Sequence, residues 1–68
     1  MNTYKELISN EEFFAAALFQ IYVFVIDVLE DSPVGNGGAV EKYTDFSVWI
    51  DGECYPRHTH TFKVAAVL

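Results

Sequence analysis

The stretch EEFFAAALFQIYVFVIDVLEDSP, residues 11–33, restricts the fold more than anything else in this chain. From Phe13 to Ile26 it carries no charge, and acids stand at both ends. A membrane span needs about 20 apolar residues and favours basic flanks. Gln20 interrupts this run, Asp27 stops it and its flanks are acidic, so no membrane span is expected. A strand over 20–30 is the next reading, since Ile21, Val23, Val25, Ile26 and Val28 are β-branched. Against it, Gln20, Asp27 and Glu30 do not keep to one face of a two-residue repeat. At the helical period the polar residues Glu12, Gln20, Asp27, Glu30 and Asp31 share a sector of roughly 100°.

Helix boundaries agree with that period. Ser9 and Glu12 form the S-x-x-E capping box, in which each side chain satisfies an orphan N–H of the other residue. Glu11 and Glu12 suit the positive end of the helix dipole, and Pro33 supplies a stop. Glu30 and Asp31 fit the negative end poorly. The expectation is one long amphipathic helix over about 10–31, preceded by a short helical turn at 3–8 that points Tyr4, Leu7 and Ile8 inward. SPVGNGGA, residues 32–39, reads as a loop, because glycine admits positive φ.

The remainder reads as an antiparallel β-hairpin over about 39–50 and 53–66, turning at Asp51-Gly52. A bulged turn would pair Trp49 with Glu53 and Val48 with Cys54. One face then carries Val40, Phe46, Val48, Ile50, Cys54, Phe62 and Val64 as core. The other carries Tyr43, Asp45, Trp49, Tyr55, Arg57 and Lys63. Pro56 belongs on an edge strand. The predicted fold class is α+β: an N-terminal helical segment whose long helix packs on the hairpin, in a single domain spanning 1–68.

Sixty-eight residues lie near the lower limit for a self-sufficient core, and the lone Cys54 excludes an intrachain disulfide. A long helix on two strands buries only one stripe, so the surplus apolar side chains predict a homodimer. Its seam would be Phe14, Leu18, Ile21, Val25 and Val28. Ten acids oppose four bases, a net charge of −6 that repels nucleic acid and anionic lipid and attracts basic surfaces. The N-terminus lacks the basic region and cleavage site of a signal peptide, so a cytoplasmic protein is expected.

Chemistry-bearing constellations are sparse. Cys54, His58 and His60 could supply zinc ligands in a small metal-binding domain, an alternative reading, but no fourth ligand follows by spacing. The glycines at 35, 37 and 38 have neither the spacing nor the lysine of a phosphate loop. No enzyme, metal or cofactor is expected. Tyr43, Trp49 and Tyr55 stand among Glu41, Asp45, Asp51 and Glu53, a pattern of aromatic anchors within steering charges that predicts a protein-binding face. Glu12, Asp27, Glu30 and Asp31 form a secondary acidic stripe.

In size, charge and these aromatics set among carboxylates, the chain resembles the phage-encoded anti-CRISPR proteins, several of which imitate the charge of duplex DNA. That resemblance implies a stoichiometric inhibitor acting in the host bacterial cytoplasm. It would occupy a Lys/Arg-lined, PAM-reading surface of a Cas effector complex, its carboxylates replacing phosphates. The alternative class is a small homo-oligomeric assembly or adaptor module that binds through its apolar helix.

Overall fold

The chain makes one short helix and two antiparallel sheets, as seen in a computed structural model that describes residues 2–67. In order these are β1 (Asn2–Leu7), α1 (Asn10–Leu18), β2 (Phe24–Asp27), β3 (Ser32–Pro33), β4 (Val40–Tyr43), β5 (Ser47–Ile50), β6 (Glu53–Pro56) and β7 (His60–Val67). One sheet has the order β1-β7-β2-β3 and the other β4-β5-β6. The expected long helix on a hairpin is therefore wrong. Its N-terminal half forms, and the rest becomes strand and turn.

The capping box starts α1 as the sequence predicts. Glu12 N–H donates to Ser9 Oγ at 3.2 Å, while Ser9 N–H and Ile8 N–H donate to Glu12 Oε1 at 3.0 and 2.9 Å. Lys5 adds an ion pair to Glu12 at 3.2 Å. The Ser9 amide, then the Ile8 amide, then Lys5 hold the Glu12 carboxyl down to about 2, from an ordinary 4.5. A carboxyl lowered by folding stabilises the fold above its unfolded value and loses that contribution as pH falls through its folded value. The stability difference between wild type and Glu12→Gln should thus be full above pH 4.5 and fade toward pH 2. Urea midpoints across that window measure it, and a difference that stays constant down to pH 2 would refute the assignment.

α1 ends because the chain reverses at Gln20. Gln20 adopts φ 51°, a left-handed conformation that usually falls to glycine. Ile21 N–H then reaches back to Ala16 O at 2.9 Å and Gln20 N–H to Ala17 O at 3.3 Å, the paired bonds of a Schellman cap. Beyond the cap, the β-branched residues take the strand geometry they favour. Val23 and Val25 point inward, 0% and 2% exposed, and Phe24 faces outward. Of the polar residues that suggested a helical stripe, Glu12 stays in α1, Asp27 ends β2, and Gln20, Glu30 and Asp31 lie in turns. Asp27 Oδ1 accepts from Leu29 N–H and Glu30 N–H at 2.9 and 3.1 Å, and Asp31 turns the chain with φ 51°.

Residues 3–8 are likewise not helical. Leu7 is buried from β1, whereas Tyr4 and Ile8 face solvent. Gly37 makes the return loop close. A Cβ there would lie 2.6 Å from Val23 O and 2.9 Å from the Tyr22 ring, at a φ of 73°.

Asp51-Gly52 does turn the second sheet, but without the bulge. Both residues have positive φ, 52° and 77°, the requirement of a two-residue type I′ turn. The register is Ile50↔Glu53, Trp49↔Cys54, Val48↔Tyr55 and Ser47↔Pro56, so β6 presents the opposite faces to those expected. Cys54 turns out to solvent, and Tyr55 packs half-buried against the core. The two predicted hairpin arms each break in the middle. Thr44 Oγ1 accepts from the Phe46 and Ser47 amides and closes a turn between β4 and β5. A second turn at 57–59 sends β7 into the other sheet, between β1 and β2. Pro56 ends β6, which is an edge strand.

The core joins α1 to both sheets: Phe13 and Ala16 from the helix, Leu7, Val25, Phe62 and Val64 from one sheet, and Val40, Val48 and Ile50 from the other, with Val23 between them. Phe13 stacks on Tyr43 and meets Phe62 edge-on at a centroid distance of 5.4 Å. Among the described residues no helix is long and apolar enough to cross a membrane.

Candidate protein-binding surface

Arg57 ties three loops together at one end of the molecule. Its Nη1 donates to Asn10 Oδ1 at 2.7 Å and to Thr44 O at 2.8 Å, and its Nη2 donates to Ile8 O at 2.6 Å. The guanidinium carbon lies 4.6 Å from the centroid of the Phe13 ring. The Arg57 amide adds a bond to Phe46 O at 2.8 Å, and Thr59 O accepts from Val28 N–H at 3.0 Å. One short turn between β6 and β7 therefore gathers the β1–α1 junction, the β4–β5 turn and the β2–β3 turn. A planar five-donor group suits this task, since an ammonium cannot reach several carbonyls with fixed geometry.

The side chains that project from this end are unusual in being apolar. Ile8 is 66% exposed, Val28 55%, Phe46 78% and Leu29 94%. Each carries large apolar area that folding leaves wet, and exposed apolar groups gathered at one place mark interaction surfaces. Carboxylates accompany them: Asp45 from the β4–β5 turn, and Asp27, Glu30 and Asp31 from the β2–β3 turn. Asp45 is held by Asn10 Nδ2 at 2.6 Å. The one guanidinium at this end already spends both terminal nitrogens within the fold.

Comparison with known protein families, curated proteins and solved structures finds no match.

Of the partner-binding set expected on one hairpin face, the structure separates the members. Glu41, Asp51 and Glu53 collect around the β5–β6 turn, where Glu41 Oε1 accepts from Gly52 N–H at 2.8 Å. Trp49 lies beneath the Lys42 ammonium, 4.8 Å from its ring centroid. Tyr43 and Tyr55 are half-buried against the core and serve packing. Asp45 belongs with Arg57, at the three-loop end. Within the secondary stripe, Glu12 caps α1, and Asp27, Glu30 and Asp31 share the β2–β3 turn. The seam divides too. Phe14, Leu18 and Ile21 are exposed on or just beyond α1, Val25 is core, and Val28 projects at the three-loop end.

The zinc trio of the alternative reading, Cys54, His58 and His60, does not assemble, and among the described residues no three His, Cys, Asp or Glu side chains come close enough to hold a metal ion. Cys54 is exposed beside Trp49 in register, while His60 Nδ1 lies 3.1 Å from Pro56 O and 2.9 Å from Thr59 Oγ1. Sequence reasoning missed Arg57, Ile8, Leu29 and Phe46. Arg57 is the chain's only arginine, and that scarcity was the available signal.

Proposed function

We propose that this chain is a non-enzymatic protein-binding inhibitor that docks its three-loop end on a Lys/Arg-lined surface of a nucleic-acid-binding complex. The anti-CRISPR type, blocking the PAM-reading surface of a Cas effector in the bacterial cytoplasm, is the specific form of this reading. One observation carries it. Of ten carboxylates, Glu12 alone has an ion-pair partner among the described residues, which leaves nine without one there. Three of the four bases are engaged elsewhere, Lys5 with Glu12, Lys42 over Trp49 and Arg57 within the fold, and the fourth, Lys63, stands opposite Glu6 in the β1–β7 register. Uncompensated negative charge around exposed apolar groups complements a basic surface with apolar contacts, and steers it during encounter.

The test is retention from bacterial lysate on the immobilised chain at about 50 mM salt, followed by challenge with duplex DNA. The retained protein should bind nucleic acid, should be displaced by the duplex, and should elute as salt rises. Retention that persists at about 1 M salt, or that duplex DNA does not disturb, would remove the mimicry reading.

A further inference from the structure

We propose that a second copy of this chain covers the outward face of α1, so that the protein is a two-fold dimer through its helices. Phe14 and Leu18 stand one turn apart on that face, 56% and 62% exposed, and Phe19 at the cap is 71% exposed. The argument for a second copy, rather than the basic partner, is the distribution of charge. Of the ten acids only Glu11 shares that helix face, one turn before Phe14, and residues 13–26 contain no ionisable group other than Tyr22. A basic partner meets a single carboxylate on that face, against the four gathered at the three-loop end. Two copies, each carrying −6, meet least repulsion there.

Size agrees. A stable two-fold interface buries about 800 Å² per partner, about a sixth of the 4718 Å² surface of this chain. The chain has no disulfide to staple a small core, and oligomerisation is one of the usual remedies. The dimer leaves the docking end open. Asn10 abuts Arg57 at that end, and Leu18 lies roughly 12 Å further along the helix axis. Each dimer therefore presents two copies of the loop surface.

Sedimentation of the full chain from about 1 to 500 µM, at about 50 and 500 mM salt, tests this. The mass should rise from one to two chains with concentration. Dimerisation should strengthen at high salt, because screening weakens repulsion between like-charged copies. That sign is opposite to the one expected for docking on a basic surface, so the two readings fail separately. Leu18→Glu should weaken the dimer by at least about 100-fold, with circular dichroism unchanged because Leu18 is exposed. Leu29→Glu, at the other end, should dimerise as the wild type does. A monomer at every concentration, a dimer indifferent to Leu18→Glu, or one weakened by salt would each overturn the proposal.

Discussion

Arg57→Ala is expected to lower the stability of the fold by roughly 2–4 kcal/mol, the largest effect of any single polar substitution in this chain. Hydrogen bonds to a charged group contribute about 1.5–3 kcal/mol each in good geometry, and partial exposure reduces that figure by letting water substitute. Arg57 makes three such bonds, to Asn10, Thr44 and Ile8, and packs over Phe13. Alanine would also leave the acceptors at Ile8 and Thr44 without that donor. For a domain of this size each 1 kcal/mol shifts the midpoint by about 4–8 °C, so thermal unfolding should fall by at least about 10 °C. Arg57→Lys keeps the charge but not the fork, and should recover less than half of the loss. Midpoints for both variants that fall within 2 °C of wild type would show that the three loops hold without the guanidinium.

The Arg57 clamp also shows where sequence reasoning reached and where it stopped. Local signals held: the Ser9–Glu12 box, Asp51-Gly52 as a turn, and Pro56 on an edge all rest on interactions between near neighbours. The long helix failed because the run has few polar residues, and a handful can share a helical sector by coincidence. Gln20 and Asp31 are turn residues with positive φ, and Asp27 ends β2 with its side chain accepting from the amides of the turn that follows. The strand signal from Val23, Val25 and Ile26 was present, and tertiary pairing with β7 decided in its favour.

The candidate surface was less legible still. β7 pairs with β1 across almost the whole chain, Leu7↔Phe62 among the partners. That closure brings Ile8, Val28 and Phe46 to one end, and no local pattern encodes it. The acids near them were visible as charge, and the sequence placed Asp45 and the Asp27–Glu30–Asp31 group on different elements. A one-residue difference at the Asp51-Gly52 turn moved Tyr55 from the expected binding face into the core, since a slip of one residue exchanges the faces of a strand.

Leu29→Ala and Phe46→Ala should each weaken partner binding by about 10- to 100-fold while leaving folding stability within about 0.5 kcal/mol of wild type. The two effects separate because both side chains are largely exposed in the free chain, 94% and 78%. Removing them takes little from the folded core, and their apolar area is recovered only when a partner covers it. Charge acts beside them through encounter rate and salt slope. Glu30→Lys combined with Asp31→Asn should lower affinity further and flatten its decline with salt, because fewer carboxylates meet basic groups. Asparagine is the choice at 31 because it tolerates the φ of 51° found there. The triple replacement of Glu41, Asp51 and Glu53 by glutamine, asparagine and glutamine is the control, since those acids collect at the β5–β6 turn. Titration calorimetry or surface binding against the protein retained from lysate reads all of these. Loss of binding confined to the control would move the docking face to the β5–β6 turn, and equal loss in both sets would mean that bulk charge, rather than a defined apolar and acidic end, drives association.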